Sequence, residues 1–171
     1  MPRITHSELL LISKANQEKL KNFADGVLLS ARANRSISQL QWRVAEDRIL
    51  LARRHLRDAK LASRTMPSLT RAIVSRAYYS MYHAARAATY VYHKGDDHEA
   101  HTALATKLPS DFPNCDIWKM RLKEARFDRN RADYDPYPLP DSTFKPIADR
   151  LLKEAKELIP LAAKYIKSKK I

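Results

Sequence analysis

The sequence predicts an all-α protein, an antiparallel up-and-down bundle of four to five core helices with an extra helix at the N-terminus. Three observations carry this expectation. Only two glycines, Gly26 and Gly95, occur in 171 residues, too few for the tight turns of sheets and barrels. Ala, Leu, Arg and Lys dominate, and all are good helix formers. Apolar residues recur three and four apart in one segment after another, and no run alternates as a strand does. The length suits one hydrophobic core, and the 44% apolar content marks a globular chain.

The first helix is expected over about Ser7 to Ser30, where Leu9, Ile12, Leu20, Phe23 and Val27 follow helical spacing. The ANRS stretch at 33–36 reads as a break, with Ser36 placed to cap the next helix. That second helix, from about Ser38 to Arg64, has one inward stripe: Ala45, Ile49, Ala52, Leu56 and Ala59. Pro67 disfavours helix in Met66 and ends it.

The third helix, about Leu69 to His93, is apolar over much of its surface, which places it centrally in a bundle. Ile73, Ala77, Met81, Ala84, Ala88 and Val91 form one line on it, and Val74, Tyr78, Ala85, Thr89 and Tyr92 a second. Gly95 stands where a C-capping glycine belongs. A shorter helix is expected from Asp96 to about Leu108, opened by a capping box of Asp96 and Glu99. The next, about Asn114 to Asp133, turns Trp118, Leu122, Ala125, Arg129 and Ala132 inward. The last, from about Ser142 to Lys167, buries Ala148, Leu152, Ala155, Ile159, Ala162 and Ile166. Pro160 inside it is expected to kink or split it.

Cys115 is the lone cysteine, so neither an internal disulfide nor a zinc site of paired thiolates can form. Apolar runs such as Leu9 to Ile12 are too short to cross a bilayer, and the N-terminus lacks the pattern of a signal peptide. The expectation is a cytoplasmic protein with no membrane contact. The net charge is +13 and unevenly spread. Ala31 to Arg86 holds twelve Arg or Lys against three acids, an excess of nine, and Lys164, Lys167, Lys169 and Lys170 form a second cluster. Such a field attracts phosphate polymers or an acidic partner; the bland reading is a solvated basic surface.

Hydrolase and nucleotide-loop motifs are absent: there is no G-x-S-x-G, and two glycines cannot build a phosphate-cradling loop. The group His93, Asp96, Asp97, His98, Glu99 and His101 has ligand chemistry but no metal-site spacing, so helix capping with surface histidines is preferred and no metal or cofactor is expected. Arg129 interrupts an apolar stripe, and a guanidinium there needs a carboxylate, a phosphate or hydroxyl partners. Either it pairs structurally with Asp128, Asp133 or an acid on another helix, or it binds phosphate in a cleft. On the central helix Arg76, His83 and Tyr90 share an edge at seven-residue spacing, with Tyr79 and Arg86 close by. A histidine there is either a satisfied core residue or, beside an arginine, a base for metal-free RNA cleavage.

Two blocks, SRAYYSMYHAARA at 75–87 and RNRADY at 129–134, make the chain resemble the HEPN family of small helical proteins. The resemblance spans about Arg48 to Ile166. It leaves residues 1–35 as an N-terminal helical extension to a HEPN-like bundle over 36–171. It implies a homodimer, a minimal nucleotidyltransferase as partner in a toxin–antitoxin-type system, and RNA or nucleotide as ligand. It further implies that active members are metal-independent endoribonucleases with an arginine followed four to six residues later by a histidine. Here Arg129 and Asn130 match the start of that motif, Tyr134 stands five residues on in place of histidine, and no histidine follows His101. The expected catalytic set is therefore Arg129 with Tyr134 and with His83 supplied from the neighbouring helix. Arg76, Tyr79, Arg86, Asn130 and Asp133 are the expected nucleotide or RNA contacts. The alternative is a non-catalytic module that binds a nucleotide or the partner protein at the same cleft.

Overall fold

The structure, a computed structural model, describes residues 5–65, 69–95, 100–135, 137 and 139–169. Six helices and no strand occur among them: α1 (His6–Ser13), α2 (Gln17–Ala33), α3 (Ile37–Ala62), α4 (Thr70–Tyr92), α5 (Cys115–Tyr134) and α6 (Asp141–Ser168). No described helix is long and apolar enough to cross a membrane. The contacts divide the chain into two compact units, residues 1–40 and 41–171.

In the first unit, the segment expected as one helix is two. Thr5 caps α1 in a reciprocal box: Glu8 N donates to Thr5 Oγ1 (3.3 Å) and Thr5 N to Glu8 Oε2 (2.7 Å). The break comes at 14–16, where Asn16 Oδ1 accepts from Lys19 N (2.9 Å) and starts α2. A well-placed N-cap satisfies a free helix donor, and here it outweighs the continuity of the apolar spacing. Asn34, in the left-handed region at φ 48°, ends α2. Ser36 and Gln39 then form a second reciprocal box at the mouth of α3 (3.0 and 3.2 Å). Neither α1 nor α2 has a buried residue.

The second unit is the bundle. Side-chain contacts fix the directions of its helices. Trp42 Nε1 donates to Ile166 O, joining the start of α3 to the end of α6. His55 stacks on His83 and Tyr79 further along α3. Arg71 Nη1 donates to Ala132 O, joining the start of α4 to the end of α5. Arg121 reaches Glu157, and Arg150 reaches Asp128, tying α5 to α6. Each helix thus runs antiparallel to the next, and α4 and α6 run parallel, with Thr70 Oγ1 donating to Asp141 O at their shared end (2.7 Å). The most extensive helix contact is α4 with α6, followed by α4 with α5. Ala84, Ala85 and Ala88 on α4, and Ala148, Ala155 and Ala162 on α6, are all buried, and such small side chains let helix axes approach closely.

The inward stripe expected for α3 is buried at all five positions, as is that of α5 including Arg129, and that of α6 at all six. Tyr92, expected to pack, is exposed at the end of α4, with its hydroxyl 3.2 Å from Ser110 Oγ. Two expectations are corrected. Residues 100–108 form successive turns rather than a helix, and the capping pair expected at Asp96 and Glu99 lies outside the described residues. Of the kink or split expected at Pro160, the split does not occur: α6 runs as one helix through both Pro146 and Pro160. Pro160 is exposed while Ile159 and Ala162 beside it are buried, so packing of the inner face holds a turn whose backbone lacks a donor.

Candidate functional site

α5 carries Arg129 into the bundle because its inward stripe puts a long side chain where the helix faces α4. The residue is 5% exposed. Its Nη1 donates to the Tyr134 hydroxyl (3.1 Å) and lies 3.7 Å from Asp133 Oδ2. The guanidinium also sits 5.1 Å from the ring centre of Tyr78 and 5.4 Å from those of Tyr79 and Tyr134. Three aromatic faces around one cation offset part of the cost of removing it from water. Burial works against the charge, but the phenol oxygens of Tyr79, Tyr78 and Tyr134 outweigh it and hold the group above the ordinary arginine value. Nε has no hydrogen-bond partner among the described residues. Of the carboxylates weighed for this arginine, Asp133 is the one it meets. Asp128 instead pairs with Arg150 and Arg131.

Asp133 also accepts from Ser75 Oγ (3.2 Å), so α4 steadies the carboxylate beside the arginine. Arg71 secures the segment just beyond. It donates to the carbonyls of Ala132 (3.0 Å) and Leu139 (2.9 Å), pairs with Asp141 and stacks on Phe144. The end of α5 at Ala132 and the start of α6, with Leu139 before it, are thereby tied to the base of α4. Asn130 is half-buried on α5 beside Arg129.

His101 is the residue that sequence reasoning did not place in the site. Its Nδ1 is 2.6 Å from the Tyr78 hydroxyl, and its ring stacks on Tyr82 at 4.2 Å. Tyr78 thus touches Arg129 with its ring and His101 with its oxygen. Burial, then the Arg129, Arg126 and Arg86 charges, hold the His101 imidazole below its ordinary value, so it is neutral at pH 7. Burial pushes the Tyr78 phenol up to about 12, partly opposed by Arg129, so it keeps its proton. The His101 Nε2 has no partner among the described residues.

His83 occupies a neighbouring row. Its ring stacks on His55 at 5.3 Å, nearly parallel, and meets Tyr82 edge-on at 5.2 Å. Among the described residues no hydrogen bond or ring contact joins it to Arg129. Burial, then the fields of His55, Arg86, Arg48 and His101, lower His83 to about 4. His55 is lowered too, by burial and then by Arg76. Arg76 is exposed beside His55, Arg86 lies over Tyr82 at 5.3 Å, and Tyr90 lies under Arg48 at 5.6 Å. Tyr79 belongs to both rows, touching Arg129 and stacking on His55. The rings therefore run on without interruption from His55 through His83, Tyr82, His101 and Tyr78 to Arg129.

The HEPN domain matches residues 45–166, well over half of the chain. The chain belongs to the HEPN domain family. No curated protein and no solved structure matches it in the same comparisons. The HEPN match opens on Ala45, the first buried residue of α3, and closes on Ile166, the last buried residue of α6, so it covers the packed faces of the bundle. α1 and α2 lie outside it. Within the HEPN region sit Arg129, its tyrosine cage and both imidazole rows.

Proposed function

We propose that this HEPN-domain protein binds RNA, or a nucleotide, through a phosphate held by Arg129, and cleaves RNA without a metal ion. The observation that carries this reading is a buried guanidinium linked through one tyrosine, Tyr78, to a neutral imidazole, His101. A planar fork suits two phosphate oxygens, and an uncharged imidazole is the form that accepts a proton. With the His101 proton on Nδ1, that atom donates to the Tyr78 oxygen and Nε2 is left as the base. Nε2 takes the proton of a ribose 2′-hydroxyl, the oxygen attacks the adjacent phosphorus, and Arg129 neutralises the charge gathering on the phosphoryl oxygens. The 5′-oxygen departs and takes a proton from water, leaving a cyclic phosphate. Tyr134, 69% exposed and bonded to Arg129 Nη1, swings out as phosphate arrives. Tyr79, Asn130 and Asp133 border the same position, while Arg76 and Arg86 flank the second row, along which further nucleotides stack and pair with charge. In this reading His101 takes the role that the sequence suggested for His83.

The wider system follows the family resemblance: a homodimer working with a minimal nucleotidyltransferase that restrains it. The second reading, a binding module without cleavage, rests on Tyr134 standing where active relatives carry histidine.

The test is cleavage of a fluorescent RNA by the purified protein in chelator. Wild type is expected to cut, His101→Gln to lose about 100-fold in rate while still binding RNA, and Arg129→Met to lose both. The acid limb of the pH–rate profile is expected below the ordinary histidine value, because His101 stays neutral further into acid. Binding without cleavage in wild type selects the second reading. Full activity in Arg129→Met sinks both.

A further inference from the structure

Away from Arg129, whose neighbours come from α4, α5 and the turns at 100–108, a groove of about 370 Å³ lies between α3 and α6. Seven residues line it: Arg53, Leu56, Arg57 and Lys60 from α3, and Lys156, Ile159 and Pro160 from α6. Four are cations and none is acidic. Arg53, Arg57 and Lys60 fall at i, i+4 and i+7, which sets them along one edge of α3. Among the described residues Arg53, Lys60 and Lys156 have no ion-pair partner. Arg57 has only an exposed contact with Asp58, Nε to Oδ1 at 3.8 Å. Such a surface pair contributes little and opens readily.

The floor decides what kind of ligand this is. Leu56 is 9% and Ile159 4% exposed, so both are already spent on the core and leave no recess for an apolar anchor. An amphipathic acidic helix would find its charges matched but nowhere to bury its hydrophobic face. No aromatic ring lines the groove, so it lacks the stacking platform of a single-stranded RNA track. What it offers is four positive charges gathered in a space the size of a small-molecule site. Pro160 adds one polar feature. It has no N–H, so the carbonyl of Lys156, four residues earlier, lacks its usual helical donor.

We propose that this groove binds an oligophosphate group, adjacent phosphoryls carrying three or four negative charges, carried by a nucleotide or free as an inorganic chain. The cations neutralise the phosphates. No bond is made or broken.

The test is calorimetric titration of the full chain with ATP, AMP and inorganic tripolyphosphate at about 0.15 M salt, where diffuse attraction is screened. ATP and tripolyphosphate are expected to bind, and AMP about tenfold or more weaker. Arg57→Glu/Lys156→Glu is expected to lose about tenfold or more in affinity for both. Lys164→Glu/Lys167→Glu, the same change of formal charge at the C-terminal cluster, is expected to stay within about twofold. Arg129→Met removes whatever the Arg129 cleft itself holds and is expected to leave the binding that depends on Arg57 and Lys156, which separates the two sites. Tighter binding of ATP than of tripolyphosphate assigns a nucleotide, and equal binding assigns the inorganic chain. Equal losses in both double variants, AMP binding through Arg57 and Lys156 as tightly as ATP, a loss in Arg129→Met as large as that in Arg57→Glu/Lys156→Glu, or no binding of either oligophosphate would each overturn the proposal. So would an RNA oligonucleotide binding through Arg57 and Lys156 while neither oligophosphate does. Circular dichroism of each variant confirms that exposed charges were changed without loss of the helices.

Discussion

Arg129 is a cation at a position whose neighbours along the helix are Trp118, Leu122, Ala125 and Ala132. Its oddity is visible in the sequence because a single helix generates the spacing. The identity of its surroundings is not visible. Asp133 is four residues away and could be guessed, but Tyr78 and Tyr79 come from another helix. His101 is less accessible still. It reaches Tyr78 across 23 residues of chain from a stretch of turns, and no periodicity encodes such a pairing. Lys94 (φ 55°), not Gly95, takes the left-handed capping position after α4, and Gly95, whose place near the helix end the sequence does mark, closes the cap behind it. Gly95 has φ +116°, its N–H donates to Tyr90 O (2.9 Å), and a Cβ there would come within 3.0 Å of Gln41 Nε2. That amide in turn donates to Lys94 O, so the side chain is not free to retreat. Gly95→Ala is expected to destabilise the fold by about 1–2 kcal/mol, read as a lower denaturation midpoint with unchanged slope.

At the scale of the helix, α3, α4, α5 and α6 are readable because one packed face repeats for four turns or more. Two elements depart from their local signals, each for its own reason. The division between α1 and α2 turns on Asn16, a cap that no glycine or proline announces. Pro160 announces a break that does not occur, since the buried face of α6 runs past it on both sides. A helix that keeps such a residue forgoes stability. Pro160→Ala restores the donor to the Lys156 carbonyl and is expected to stabilise the protein by up to about 3 kcal/mol in urea titration. A loss of stability would mean that the turn around residue 160 departs from α-helical geometry.

At the scale of the molecule, the imidazoles bind its stability to pH. His83 has an ordinary value of 6.5 when unfolded and about 4 in the fold. Between those values the unfolded chain binds the extra proton, so stability is full above 6.5 and drains as pH falls towards 4. His55 and His101, also lowered, pull in the same direction. Thermal melts from pH 7 down to about pH 4 are expected to show a steady fall in Tm. His83→Phe, which keeps a ring against His55 but cannot take a proton, is expected to flatten part of that fall. An equally steep fall in the variant would place the acid sensitivity elsewhere. None of this is readable from the composition, because a histidine is shifted by what surrounds it and the surroundings come from α3, α4 and the turns together.

The two tryptophans give the bundle a pair of optical reporters. Trp118 is sealed in the core on α5 with the Arg121 guanidinium 4.8 Å from its ring. Trp42 is half-buried on α3, its indole N–H held by the last turns of α6 at Ile166 O. Fraying of the α6 terminus would change the emission of Trp42 while leaving Trp118 dark to the event. Single-tryptophan variants can therefore time the loosening of the chain's end separately from the collapse of its centre.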